Sequence, residues 1–300
     1  MKPTMLVCVP FTGLGLYGGF RGNRWLRNRI AVFKKFVVPS LLAQTDRDFI
    51  LWICWRAEEK NNPHVKALKE WLTDTTNLRT VFTYTGVPFW DDKYSDTEAR
   101  ERLFWTLKDA LPSLVDLLEE GEVYWLLQPS DDCYHKETIK SVKTAFATPE
   151  IQAVTYTQGY IMNYNTLEGK EYNPKTNPPF FAIKFPKDLF LDPGKHINYT
   201  GPYKSHEYIG NKLTLAQFIG RGFIVGCHGE NISTHFNNPY GGNPVSIPLD
   251  EFGLRKVSPI KLPVSTRKWV MRHLPYGWQR KLRYWFGERF YSKFYNFIRG

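Results

Sequence analysis

The sequence predicts an α/β protein: a three-layer α/β/α sandwich around a mostly parallel central sheet. Two observations carry this. Apolar runs of strand length alternate with helix-patterned segments up to residue 127, the order that builds βαβ units. The chain is also 300 residues long, 42% hydrophobic and 16% aromatic, ample for a sizeable core and contrary to disorder.

The elements follow in order. MLVCVP (5–10) reads as a buried first strand. RWLRNRIAVFKKFVVPSLLAQ (24–44) has apolar residues at helical spacing, and Pro39 inside it should kink or divide the helix. DFILWICW (48–55) is a second strand. PHVKALKEWLTD (63–74) opens with Pro at a first helical position and reads as a helix. LRTVFTY (78–84) is a third strand, and TGVPFWDDKYSD a loop broken by Gly and Pro. Residues 97–120 read as a long helix with an internal Pro, and EVYWLL (122–127) as a fourth strand. Beyond it the pattern loosens. Residues 151–165 suggest strand, turn and strand; 181–186 a short strand; 201–222 a helix; and 223–229 a strand ending at His228.

Charge and cysteine usage narrow the class. Net charge is +11, and from Thr266 onward nine Lys/Arg face one acid, Glu288. The chain therefore divides into a near-neutral domain, 1–265, and a basic aromatic helical extension, 266–300. No window of 18 apolar residues predicts a membrane-spanning helix. The N-terminus has too short an apolar run for a signal peptide. Cys8, Cys54, Cys133 and Cys227 lack zinc-site spacing and read as buried reduced thiols, which points to the cytoplasm. In that setting the Asn-X-Ser/Thr triplets at Asn198 and Asn231 are chance matches.

Two stretches sit where α/β sheets bind ligands, at the carboxyl ends of strands. GLGLYGG contains a G-x-G-x-x-G match from Gly13 to Gly18. A dinucleotide site needs a helix directly on that turn and an acid about 20 residues on. Here the helix is delayed to about Arg24, and Lys34 and Lys35 occupy the acid's place, so a loop near a ligand is the better reading. LLQPSDDCYH ends the fourth strand on adjacent carboxylates, Asp131 and Asp132. A solvated turn capping a helix near Lys136 would explain them. So would a hard-cation site, because Mg²⁺ and Mn²⁺ are held by one or two carboxylates together with substrate phosphates.

Several stretches, in order, resemble metal-dependent GT-A glycosyltransferases, especially the rhamnosyltransferase-like group near family 2. They are RIAVFKKFVVPSLLAQTDRDFILWICW (29–55), VYWLLQPSDDCYHKETI (123–139), KSHEYIGN (204–211) and GFIVGCHGENIST (222–234). The resemblance covers about residues 5–235. It implies a nucleotide-sugar donor, a hydroxyl acceptor on a glycan or lipid-linked glycan, inversion at the anomeric carbon, and Mg²⁺ or Mn²⁺ on Asp131. It further implies a late His ligand at His228, with Pro10, Phe11 and Ser130 beside the donor; by position, His235 is a second candidate ligand, Asp91 in the loop after the third strand a candidate nucleotide contact, and Arg100 a candidate phosphate contact. Glu207 would be the general base, with His206 as an alternative, and Asp132 would orient water or acceptor. In one respect the chain departs from the group: Pro129 stands where the D-x-D-D motif has its first carboxylate.

The tail interleaves nine cations with eleven aromatics. That composition suits an amphipathic helix lying on anionic lipid, so peripheral membrane attachment is expected and nucleic acid is not. Two rival functions remain open on sequence. A nucleotidyltransferase would use similar acids, with GFRGNR (19–24) as its basic Gly-rich loop; a non-catalytic sugar- or membrane-binding protein would need none of them.

Overall fold

The computed structural model describes residues 1–13, 22–86, 95–174, 178–200, 209–229, 231, 236–237 and 241–263. The basic extension lies outside the described residues, as do Asp91, His206, Glu207 and His235.

The first half builds as its apolar pattern dictates. Strands β1 (Thr4–Pro10), β2 (Ile50–Arg56), β3 (Arg79–Gly86) and β4 (Val123–Leu127) form a parallel block in the order β3-β2-β1-β4. Their residues alternate between two cores, which is why the runs are apolar throughout. Met5, Val7 and Val9 face α1 (Gly22–Val32), α3 (Pro63–Thr75) and α5 (Thr138–Phe146). Leu6 and Cys8 face α4 (Asp96–Ala110), α6 (Lys187–Leu191) and α7 (Pro193–Thr200). Helices thus cover both faces, and the three-layer sandwich is present.

Both internal prolines act as their chemistry requires. Before Pro39 the helix widens into a π turn, Phe33–Val37, and resumes as α2 (Val38–Leu42). The Val38 N–H reaches back five residues to Phe33 O. Pro39 has no N–H to give and its ring crowds the carbonyl four residues back, so a wide turn accommodates it. Near Pro112, α4 ends at Ala110 and the chain continues in two short 3₁₀ turns, shortening the helix expected over 97–120.

The second half differs from expectation. Residues 151–165 form one long strand, β6 (Ala153–Asn163), without an internal turn. Strand β7 (Gly169–Tyr172) pairs with it. Within 201–222, residues 215–222 are strand, not helix: β9 runs Leu215–Cys227 and pairs parallel with β6. Strands β8 (Phe181–Phe185) and β10 (Gly241–Pro244) complete a sheet ordered β10-β7-β6-β8-β4-β1-β2-β3, with a short β5 (Cys133–Tyr134) on β9. The β4–β8, β8–β6, β6–β7, β7–β10 and β5–β9 pairings are antiparallel, so the sheet is mixed where a mostly parallel one was expected. Periodicity alone does not report strand direction.

A third apolar cluster joins Phe36, Cys133, Tyr164 and Ile224 to Phe252, Leu254 and Ile260. The strap that carries the last three is pinned to the first helices. Asn28 Nδ2 donates to Pro263 O at 2.9 Å, and Lys35 Nζ to Pro259 O at 3.0 Å. All four cysteines are buried and free. Among the described residues no helix is long and apolar enough to cross a membrane.

Candidate functional site

The carboxyl ends of β1, β2 and β4 lie side by side, and the acidic loop grows from them. β1 and β4 are in register at Cys8 and Leu127, and Gln128 N–H continues the ladder to Cys8 O at 2.8 Å. The loop is then stapled from several sides. Gln128 Nε2 donates to Pro129 O and to Asp132 O, each at 2.9 Å. Tyr164 OH donates to Asp131 O at 2.9 Å, and Gly226 N–H to Asp132 Oδ1 at 2.8 Å. Gly226 is required where it stands, because a Cβ there would collide with Asp131 O and the Tyr164 ring.

The two adjacent acids have opposite fates. Asp131 keeps 14% of its side chain exposed, and its Oδ2 is ion-paired with Arg29 Nη1. The same oxygen lies 3.2 Å from His228 Nε2 and accepts from Asn231 Nδ2 at 3.2 Å. An ionised carboxylate only accepts, so His228 carries its proton on Nε2. Burial pushes the Asp131 carboxyl up, but the Arg29 charge and the His228 contact outweigh it and hold the group down at about 2. Asp132 is 7% exposed. Burial first, and then the Asp131 charge, push its carboxyl well above the usual range, with the Gly226 N–H offsetting part of the rise. Burial and charge thus favour the ionised form at Asp131 and oppose it at Asp132, which lessens the repulsion between the pair. Neither caps the following helix: Glu137 is the residue before α5, and the solvated-turn explanation does not hold.

Other anticipated residues scatter. Ser130 is half-buried beside Asp131, and Pro10 ends β1 near the loop. Phe11 is 4% exposed and packs on Trp55 at 4.4 Å and Phe33 at 5.3 Å between ring centres, so it is a core ring and offers no face to a base. Arg100 lies on α4, which packs on β3 and α7. His228 is brought to Asp131, as the strand ending there implied.

Sequence reasoning missed the groups that complete the cluster. Arg29 is 4% exposed on α1, among buried Trp25, Leu26 and Ile30. A cation on the apolar face of a helix was the legible signal. Its guanidinium also lies 5.4 Å from the Trp25 ring centre. Asn231, dismissed as a chance triplet, accepts from His228 N–H at 2.8 Å and donates to Asp131. A second cluster closes the β2 end. Glu59, 2% exposed, pairs with Arg56 Nη2 at 2.8 Å and accepts from the Thr12 hydroxyl.

The donor set does not fit a resident Mg²⁺ or Mn²⁺ on Asp131 Oδ2. That oxygen already faces three N–H donors, one a guanidinium that cannot be deprotonated. A dication on that oxygen would lie about 4 Å from the guanidinium, where the repulsion is roughly 8 kcal/mol at an effective dielectric of 20. Among the described residues no group of three or more His, Cys, Asp or Glu side chains could hold a metal ion.

Residues 21–86 match the family model described as "Putative rhamnosyl transferase". The matched stretch includes Arg29, Thr83 and the whole of β2. The solved structures similar to this chain include S. aureus TarS 1–349, at 13% identity and a TM-score of 0.39, over 76% of this chain and 61% of that one. The TarS complex with UDP-GlcNAc is similar at 13% identity and a TM-score of 0.38, over 79% of this chain and 61% of that chain. This chain thus spans about three-fifths of the TarS length it is compared with. No curated protein matches the sequence.

Proposed function

We propose that the chain is a glycosyltransferase that binds a nucleotide-sugar donor at the carboxyl ends of β1, β2 and β4. The acceptor would be a hydroxyl on a glycan or lipid-linked glycan. One observation carries the reading. Arg29, inside the stretch that matches the rhamnosyl transferase model, is the ionic partner of Asp131 in the acidic loop. The matched stretch and the acidic motif, distant in sequence, therefore build a single site. Its position at parallel strand ends is where α/β sheets take ligands.

In this reading the loop Gln128–Asp132 orients the donor, and Asp131, His228 and Asn231 hold one fixed arrangement around it. Asp132, buried and held by the Gly226 N–H, is proposed to orient water or the acceptor. Glu207 is proposed to take the acceptor proton, with His206 as the alternative base, in an inverting displacement. The rhamnosyl specificity is proposed from the family description alone. The extension 266–300 is proposed to hold the enzyme on an anionic membrane surface near a lipid-linked acceptor.

The test is sugar release from UDP-, GDP- and dTDP-sugars by the wild type, Asp131→Asn and Glu207→Gln. The expected result is hydrolysis of one donor class, with a loss of at least tenfold in either variant while circular dichroism is unchanged. Wild type that hydrolyses none of them and binds none of the three diphosphates would sink the proposal.

A further inference from the structure

We propose that Arg29 stands in place of a divalent cation, so that this site takes its nucleoside diphosphate without Mg²⁺ or Mn²⁺. Asp131 is then the counter-ion that positions Arg29, and not a metal ligand.

Three features converge on this. First, Asp131 Oδ2 is filled by N–H donors: Arg29 Nη1, His228 Nε2 and Asn231 Nδ2. A metal on Oδ2 would need lone-pair space into which hydrogen atoms already point. Second, no second carboxylate among the described residues is free to share a cation. Position 129 is Pro, and Asp132 Oδ1 accepts from Gly226 N–H inside the core. Third, Arg29 is held as an ion should be held for a permanent role. It projects from a buried stretch of α1, lies over Trp25, and has a side chain only 4% exposed. Its Nε is buried with no hydrogen-bond partner among the described residues, so among them the guanidinium is anchored chiefly through Asp131. A guanidinium keeps its charge at any pH the fold survives.

The nucleotide half of this inference rests on the donor-site reading above; the metal half does not. The experiment therefore has two arms. In the first, Mn²⁺ is titrated into the full-length chain and followed by electron paramagnetic resonance, without nucleotide. Wild type should leave all Mn²⁺ free at concentrations up to about tenfold over protein. Arg29→Met, which removes the charge and keeps the length, should gain one Mn²⁺ site, and Arg29→Met/Asp131→Asn should lose it again. Arg29→Lys keeps a cation and should gain none. Wild type that binds one Mn²⁺, with the site lost in Asp131→Asn, would overturn the inference, and that comparison stands even where Arg29→Met does not fold. A folded Arg29→Met that gains no Mn²⁺ would also overturn it, since Arg29 would not then be what excludes the cation. In the second arm, UDP, GDP and dTDP are titrated calorimetrically in EDTA and in Mn²⁺. Equal affinity within about twofold is expected for whichever one binds. A rise of tenfold or more in Mn²⁺ would defeat the metal-free site. Failure of all three to bind under both conditions would defeat the donor reading, while the first arm still decides the metal.

Discussion

At the scale of single residues, the adjacent acids of the LLQPSDDCYH loop are resolved by unequal surroundings. Asp131 has a guanidinium, an imidazole and an amide on one oxygen, and Asp132 has a backbone N–H and the core. Removing one partner of a buried ion pair strands the other, typically at about 3–5 kcal/mol. Arg29→Ala should destabilise by that amount in urea unfolding. Arg29→Met/Asp131→Asn should cost clearly less than the sum of the single changes, because neither charge is left alone. His196 gives a second prediction. It is fully buried between Phe185 and Phe190, its Nδ1 is 3.0 Å from Phe190 O, and burial lowers its pKa to about 4. The unfolded chain takes the proton first, near pH 6.5, so stability is intact above that value. It should fall by about 3 kcal/mol as the pH drops from about 6.5 to 4, and His196→Gln should flatten that part of the profile. At this scale the sequence was half legible. The acids and His228 announced themselves by lying at strand ends. Arg29 and Asn231 did not, because a cation inside a helical pattern and an Asn in a polar loop acquire meaning only through partners far along the chain.

At the scale of elements, most of the first half was readable and the reason is local. Both-face burial gives continuous apolar strands, and Pro39 and Pro112 mark where helices must yield. The second half was harder because its strands are shaped by their neighbours. Residues 151–165 suggest a turn between two strands, yet Gly159 lies within β6 against Phe223 of β9 and leaves no room for a side chain. The glycine there marks close packing and not a turn. β9 carries the same device at Gly226. Gly226→Ala should force the acidic loop off the strand at a cost of roughly 3 kcal/mol, the upper end for overpacking a filled site. Thermal unfolding would measure it, and Gly220→Ala would not serve as a control, since Gly220 has a positive φ of 95°. A loss below about 0.5 kcal/mol, the range of an ordinary surface change, would show that the loop is not braced by β9.

At the scale of the whole molecule, the sheet joins a parallel block that supplies the strand ends to an antiparallel block that closes over them. Composition and alternation announced the layers; they carried no information on strand direction, which depends on how distant segments pair. The strap ending at Pro263 is hydrogen-bonded to α1 through Arg24 and Asn28. A chain ending at Pro263 should keep the wild-type melting temperature. It should also lose co-sedimentation with vesicles of phosphatidylserine, which the full chain should show and which salt should weaken. A truncated chain that still pellets with vesicles would place membrane affinity elsewhere.

The Arg29–Asp131 clamp also bears on time. Its halves sit on the first helix and behind the fourth strand, so it closes only after β4 has docked on β1. A contact of such long sequence separation carries a loop-closure cost, and this one is expected to form on the native side of the folding barrier. Asp131→Asn should therefore leave the refolding rate nearly unchanged and accelerate unfolding, which stopped-flow chevrons would separate. The site would then act as the latch that sets how long the folded molecule lasts.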